Sequence, residues 1–128
     1  MAEPIEIILL RQWASYLGLP VWIMDAGGSL VFYNEAAEAL LGRRFEESGA
    51  IAVEDLASLF STRSEDGQPL AASELPVSIA LMERRPSHST ILMEGFDGRA
   101  RKLEITAFPV TGLAGRMLGA VAMFWETA

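Results

Sequence analysis

Residues 116–125 place the tightest constraint on the fold, because nearly every side chain in this segment is apolar. An apolar run of this length is typical of a strand covered on both faces, which is the usual state of a central strand. The chain therefore needs a sheet with apolar layers on each side of this segment. Its 128 residues, 51% of them hydrophobic, suffice for one domain with a substantial core.

Four further segments have the pattern of strands, at residues 21–25, 30–33, 88–96 and 101–110. The last of these alternates apolar with polar residues, which predicts one covered face and one solvated face. Glycine-containing turns separate the first two strands from each other, and the next two likewise, as expected for antiparallel hairpins.

Helices are predicted at the start and in the middle of the chain. Residues 5–17 carry apolar side chains at helical spacing, and Asn34 can cap a helix over residues 35–41 with its side-chain oxygen. Two more helices are predicted over residues 53–60 and 73–84. Because strands and helices are segregated, we expect an α+β fold with an antiparallel sheet and short helices on one face.

The first helix has more apolar surface than a single contact needs. Large apolar patches are rare on the surface of monomers, so this helix is expected to be covered on more than one side. We expect part of it to form the interface of a homodimer. The expected interface residues are Ile5, Ile8, Leu9, Trp13 and Tyr16, and Ile7, Leu10 and Leu17 widen the stripe.

Charge and targeting features exclude several classes of partner. The net charge is −7, and basic residues pair only at 43–44 and 84–85, so nucleic-acid binding is not expected. The start of the chain is acidic where a signal peptide needs positive charge, and the apolar run at 7–10 is too short to span a bilayer. These features predict a protein of the cytoplasm that does not contact a membrane.

The residue types also limit the chemistry of the chain. There is no cysteine, which excludes disulfides, thiolate metal sites and cysteine nucleophiles. The single histidine, His88, has no acid or nucleophile at a recognisable spacing. Acidic pairs at 46–47, 54–55 and 65–66 lie in or beside predicted loops, where solvation explains them. We therefore expect neither catalysis nor a metal site.

The order of these elements resembles a PAS domain, the sensory module of bacterial kinases and related regulators. The resemblance spans residues 19–126 and is closest to PAS units placed ahead of two-component histidine kinases. In the first half it rests on residues 19–25, the turn at 27–28, and residues 31–37 and 40–42. In the second half it rests on residues 66–70, 74–81, 96–99, 107–110 and 118–124.

The resemblance implies a five-stranded antiparallel sheet that encloses a small cavity with its flanking helices. It implies a flanking dimerisation helix over residues 1–18 and a PAS domain over residues 19–128. It also implies a non-catalytic role in signal transduction, as a sensor that passes its signal to a kinase or another effector domain. Glu126 stands where the family has an acidic residue for signal output.

A ligand of this cavity is expected to be small and apolar. Asn34 has two interpretations. It either forms a hydrogen bond to the ligand or to a neighbouring strand, or it caps a helix, and the cap is favoured. The expected lining, inferred from strand face and family position, consists of Ile23, Phe32, Asn34, Leu40, Leu56, Ile79, Leu103, Ile105 and Phe124.

No cofactor is predicted. A light–oxygen–voltage photoreceptor needs a cysteine near its flavin, and this chain has none. The sequence does not exclude non-covalent flavin binding, with Trp22 and Trp125 as candidate lining residues, although both are expected to be core residues. A haem sensor most often has an axial histidine on the helix predicted at 73–84, where this chain has none, and neither His88 nor Met82 is expected to take that role.

The alternative is a cone-shaped α+β protein that binds or isomerises a small molecule. In that fold Glu104 could act as a buried general base on its strand. Lys102 and Thr106 share its face, which favours a solvated surface instead. Cone-shaped folds also begin with long helices, whereas most helices here are predicted in the middle of the chain.

Overall fold

A computed structural model describes residues 3–127. The strands are β1 (Val21–Asp25), β2 (Ser29–Tyr33), β3 (Ile51–Ala52), β4 (Arg63–Ser64), β5 (Ser87–Glu94), β6 (Ala100–Thr111) and β7 (Met117–Glu126). The helices are α1 (Ile5–Ser15), α2 (Glu35–Leu41), α3 (Phe45–Ser48), α4 (Val53–Leu59) and α5 (Pro76–Glu83).

All strands pair antiparallel in one sheet, in the order β3-β2-β1-β7-β6-β5-β4. The apolar strand β7 lies in the middle of this order. Its residues Gly119–Met123 pair with Asp25–Val21 of β1, so the two ends of the domain are hydrogen-bonded neighbours. This confirms the α+β fold and the central position predicted for the last apolar segment.

The described sheet has seven strands where five were expected. The five expected strands are β1, β2, β5, β6 and β7, and the two additional ones, β3 and β4, have two residues each and lie at the edges. A pair of residues is too short for an alternating pattern, so these strands could not be recognised from the sequence.

The sheet separates two apolar layers. Side chains alternate along a strand, so neighbours on β7 point to opposite faces. Phe124 is fully buried on the face covered by α2, α4 and α5, whereas Trp125 on the other face is 37% exposed. The second layer lies between the sheet and α1, where Ile7 and Ala14 pack on Ile23 and Val121.

Two helices in the middle of the chain differ slightly from the predicted bounds. The helix expected at 73–84 begins at Pro76, after a 3-10 turn over Ala72–Glu74 that is capped at Leu75. Proline is well tolerated at this first position because its missing N–H would have no helical partner. The helix expected at 53–60 ends at Leu59.

Glycine is required where β7 passes β1. Gly119 has a φ of 157°, and a Cβ atom at this position would lie 2.1 Å from the carbonyl oxygen of Met24. Such a contact is far inside van der Waals distance, so a larger residue would force these two central strands apart. The close approach of β1 and β7 thus depends on this residue.

Within residues 3–127, no helix combines the length and the apolar character that crossing a membrane would require.

Candidate functional site

A small cavity lies between the sheet and the helices α4 and α5. Its volume, measured as the space open to the centre of a water molecule, is about 10 Å³. This is enough for about one water molecule. Its lining is mostly apolar and consists of Trp22, Leu56, Phe60, Thr62, Leu75, Pro76, Val77, Ile91 and Ile105.

Aromatic side chains fill most of the interior around this cavity. The ring of Trp22 lies 5.0 Å from that of Phe124 and 6.2 Å from that of Phe60, measured between centroids. Phe60 in turn contacts Phe96 edge-on, with centroids 5.1 Å apart. Such tilted and edge-on pairs are favourable beyond the area they bury.

Trp22 brings one unsatisfied polar group into this apolar interior. The side chain is 3% exposed, and its Nε1 has no hydrogen-bond partner among the described residues. A buried donor left unpaired costs about 1–3 kcal/mol, and a buried tryptophan N–H usually finds a partner. The sequence did not identify this residue as a polar site, since Trp22 was expected to be core.

The structure brings together part of the expected lining. Leu56 and Ile105 line the cavity directly, and Leu103 and Phe124 belong to the same apolar cluster. Leu40 is partly buried against that cluster at the far end of α2.

Two expected lining residues face the opposite layer. Ile23 is buried under α1, and Phe32 packs against the same cluster, so the prediction that they line the cavity is wrong. On β1 the cavity face belongs to Trp22 and Met24 instead. Because β1 is apolar on both faces, its pattern could not indicate which residues point inward.

Ile79 also lies away from the cavity. Its side chain is only partly buried and borders a surface groove beside β5, together with Leu70 and Glu83. The residues of α5 that lie closest to the cavity are Pro76 and Val77. The helix begins at Pro76, and its buried residues are Pro76, Val77, Ser78 and Ala80.

Asn34 holds the joint between α1, β1 and α2. Its Oδ1 accepts the backbone N–H groups of Val21 and Ala37, both at 3.0 Å. Its Nδ2 donates to the carbonyls of Ala14 and Leu19, both at 2.9 Å. These four bonds use the full capacity of the amide group. The helix cap is confirmed, and the same side chain also fixes the C-terminal part of α1 to the domain.

Helix α1 has one packed face and one open face. Ile7 and Ala14 are buried on the sheet, and Leu10 and Leu17 pack beside them. The residues expected at a dimer interface lie on the open face, with 42% to 77% of their area exposed. They are Ile5, Ile8, Leu9, Trp13 and Tyr16.

The C-terminal end of β7 is joined to the β5–β6 turn through Arg101. Nε of Arg101 lies 3.7 Å from Oε1 of Glu126, and Nη2 lies 3.5 Å from Oδ2 of Asp97. A hydrogen bond from the backbone N–H of Arg99, supported by the Arg101 guanidinium, lowers the pKa of Asp97. Nη1 of Arg101 is buried without a partner among residues 3–127.

The same turn is in contact with the end of α2. The carbonyl of Leu41 accepts the backbone N–H of Phe96 at 2.6 Å. A Cβ atom at Gly95 would lie 2.8 Å from that carbonyl, so only glycine permits this approach. Helix α2 therefore connects the Asn34 joint at its start with the Arg101–Glu126 region at its end. Sequence reasoning missed this connection because it depends on contacts between distant segments.

His88 lies on the outer face of the sheet, away from the cavity. Its Nε2 is 2.9 Å from Oε2 of Glu104, and its Nδ1 is 2.7 Å from Oγ1 of Thr106. Glu104 also accepts the hydroxyl proton of Thr90 at 2.8 Å. The solvated face predicted for Glu104 is confirmed, and no cluster of three or more His, Cys, Asp or Glu that could hold a metal ion occurs in the described part of the chain.

The elements define an α+β domain in which helices close one face of an antiparallel sheet over a small interior. The PAS domain of a protein from Colwellia psychrerythraea has this arrangement, with a TM-score of 0.62 at 18% identity over 95% of this chain and 97% of that chain. The PAS domain of nitrogen regulation protein NR(II) from Vibrio parahaemolyticus gives a TM-score of 0.64 at 20% identity, over 93% and 98%.

A Rhodobacter sphaeroides LOV protein has a TM-score of 0.75 at 14% identity, over 98% of this chain and 69% of that chain. The chain therefore has the PAS fold. No protein-family model matches the sequence, and no curated protein matches it.

The interior does not fit a flavin or a haem. Pockets for small molecules and cofactors have volumes of about 300–1,000 Å³, whereas the cavity here has about 10 Å³. The sequence offers no cysteine for a flavin adduct. Helix α5 contains no histidine, and His88 points away from the interior.

Proposed function

We propose that the chain is a non-catalytic sensory and interaction module of a signalling protein in the cytoplasm, and that it works as a homodimer through α1. The observation that carries this proposal is the open apolar face of α1 on a domain with the PAS fold. The cavity receives a small apolar ligand, and the signal leaves through the end of β7 at Glu126 to a kinase or another effector domain.

The distribution of exposed apolar side chains supports the dimer. Of the nine large hydrophobic side chains exposed among residues 3–127, five belong to α1 and its C-cap. The other four, at Leu59, Met82, Leu113 and Trp125, lie on different elements. An apolar patch concentrated on one helix is typical of an interface, whereas single exposed residues are common on any surface.

The position of α1 supports transmission of a conformational change between a second copy and the interior of the domain. Its packed face lies on the central strands β1 and β7. The opposite face of these two strands belongs to the apolar cluster that surrounds the cavity. Asn34 bonds the carbonyl of Ala14 in α1 and caps α2. A second copy docked on α1 would therefore be connected through one side chain to α2, which covers the same face of the sheet as α4 and α5.

The proposed output uses the Arg101–Glu126 contact. Arg101 holds both the β5–β6 turn and the end of β7, and α2 contacts the same turn through Leu41. A shift of α2 would therefore be transmitted to the residues where β7 ends.

The cone-shaped isomerase alternative is disfavoured by the location of Glu104. Its carboxylate bonds His88 and Thr90 on the outer face of the sheet, while the cavity lies on the other face. A general base must reach its substrate within hydrogen-bond distance, and this carboxylate cannot do so for a ligand in the cavity.

The dimer is tested by sedimentation equilibrium of the wild type and of Leu9→Glu. We expect a wild-type dimer, and a dissociation constant at least about 100-fold larger for Leu9→Glu because a carboxylate is then buried in an apolar interface. The matched control is Leu59→Glu, the same substitution at a similarly exposed leucine on α4. A monomeric wild type, or equal weakening by both variants, would contradict the proposal.

A further inference from the structure

Two turns at one end of the sheet are linked by a hydrogen bond. The first turn joins α5 to β5 and contains Arg84, and the second joins β6 to β7. Nη1 of Arg84 donates to the carbonyl oxygen of Gly115 at 3.0 Å, although the two residues are 31 positions apart in the sequence. The two turns, residues 82–86 and 112–116, therefore form one surface, the arginine tip.

The arginine tip exposes apolar side chains. Leu113 is 94% exposed, and no other large hydrophobic side chain among residues 3–127 is more exposed. Met82, at the end of α5, is 73% exposed. These residues lie on different elements, but the bond between Arg84 and Gly115 brings the two elements together.

The arginine tip is also rich in positive charge, although the chain has a net charge of −7. Arg84, Arg85 and Arg116 are all exposed. Glu83 forms an ion pair with Arg85 at 2.9 Å. Arg84 and Arg116 form no ion pair with the carboxylates that the structure describes. Two guanidinium groups thus remain for an external carboxylate.

Both turns hold a residue other than glycine in the left-handed backbone conformation. The φ angle is 55° at Arg84 and 59° at Ala114, and Ser61 is the only further case among residues 3–127. Residues with a Cβ atom rarely adopt this conformation because it is strained. Such strain is concentrated at binding and switch regions. Its occurrence in both linked turns indicates that their conformation serves an interaction.

We propose that the arginine tip is a docking surface for an acidic, partly apolar segment of a partner protein. Arg84 and Arg116 pair with carboxylates of that segment, and Leu113 packs against its apolar side chain. Guanidinium groups bind carboxylates through two parallel hydrogen bonds. Because the chain has 17 acidic and 10 basic residues, the surface away from the tip repels an acidic segment, which favours this end. The inference goes beyond the proposed dimer through α1.

Other occupants suit the arginine tip less well. Docking on anionic lipid usually needs about four to eight basic residues, whereas two arginines without a carboxylate partner are available here. A second copy would bring its own excess of negative charge to an acidic domain. The tip does adjoin the start of α1, since a Cβ atom at Gly112 would lie 3.3 Å from Oε2 of Glu6. The test therefore includes both of these occupants.

The test uses a fluorescein-labelled peptide in which glutamates flank a leucine and a phenylalanine. A control peptide has glutamine in place of each glutamate, and binding to the wild-type protein is followed by fluorescence anisotropy. We expect the acidic peptide to bind at least about tenfold more tightly than the control peptide. Its affinity should fall as sodium chloride is added, because salt screens exposed charges. The proposal is overturned if neither peptide binds or if both bind equally.

Charge reversal locates the binding surface. Arg116→Glu should weaken binding of the acidic peptide at least about tenfold, and it should bind a peptide with lysine in place of glutamate more tightly than the wild type does. The matched control is Arg99→Glu, the same change at an exposed arginine beyond the opposite end of β6, which should leave the affinity nearly unchanged. Leu113→Ser should weaken binding without changing its salt dependence. Equal effects of Arg116→Glu and Arg99→Glu would rule out the tip as the binding surface.

Two further measurements identify the occupant. If vesicles that contain phosphatidylserine bind the wild type but not Arg116→Glu, the tip is a lipid-binding surface and the proposal is wrong. In sedimentation equilibrium, Arg116→Glu should keep the association state of the wild type. If it weakens a dimer as much as Leu9→Glu does, the tip belongs to the interface between copies, which also overturns the proposal. A monomeric wild type that binds the acidic peptide would contradict the dimer and support the arginine tip.

Discussion

The two faces of the sheet differ in how completely they are covered. On the inner face, Trp22, Phe60 and Phe124 are packed so closely that space for about one water molecule remains. On the outer face, α1 covers only one part, and Trp125 and His88 stay partly exposed beside it. The inner face is thus filled by the chain's own side chains, whereas apolar side chains of α1 and β7 stay exposed on the outer side of the sheet.

The largest expected effect distinguishes these faces at two adjacent residues of β7. Phe124→Ala should lower the free energy of unfolding by about 3–5 kcal/mol, because it leaves a cavity in a core that is already closed. Trp125→Ala should lower it by less than about 1 kcal/mol in the monomer, because that ring is 37% exposed. Urea denaturation of both variants measures the difference. Equal losses would show that the two faces are equally packed.

A smaller loss of stability is expected for substitutions of Asn34, which connects α1, β1 and α2 by hydrogen bonds. Asn34→Ala should cost about 2–4 kcal/mol, because four backbone groups lose their partner and the joint is buried. Asn34→Asp is the matched control, since it keeps the acceptor for Val21 and Ala37 but cannot donate. We expect Asn34→Asp to retain the helix cap and to loosen α1, measured as faster amide hydrogen exchange at 5–15. Unchanged exchange at residues 5–15 would show that the hydrogen bonds donated by Asn34 do not hold α1 on the domain.

The smallest expected effect concerns the ionisation of Tyr33. Burial raises the pKa of Tyr33, whose hydroxyl donates to the carbonyl of Arg43, while Tyr16 is 77% exposed. Because the folded state holds the Tyr33 proton more tightly, stability is full below the ordinary pKa of 10.0 and falls as the pH rises above it.

Ultraviolet titration should show a late tyrosine transition, above the ordinary pKa of 10.0. Tyr33→Phe should remove the late transition and part of the alkaline loss of stability. A late transition that persists in Tyr33→Phe would contradict the burial of Tyr33.

The sequence predicted the secondary structure well where the pattern had a single interpretation. The alternation on β6 assigned Leu103 and Ile105 to the covered face, and both are buried. The strand β7 was expected in the centre of the sheet, and it lies there. The N-cap at Asn34 followed from local chemistry, because a cap needs only the first turn of its own helix.

The errors fall where a segment is apolar on both faces. Residues Val21–Met24 are all apolar, so the sequence could not decide that Trp22 rather than Ile23 faces the cavity. On β2 a bulge changes the register between Phe32 and Leu30, which moves Phe32 to the outer layer. For α1, the stripe included apolar residues around most of the helix, and only the packed structure separated Ile7 from Ile8.

By itself, the sequence determined which of the longer segments form strands and helices, that β7 is central in the sheet, and that cysteine chemistry is absent. These properties depend on residue type and periodicity, which are local. Only the tertiary structure decided that the interior is filled, that the Trp22 N–H is left without a partner, and that Asn34 joins α1 to α2. Each of these depends on distances between segments far apart in the chain, and a residue pattern does not contain such distances.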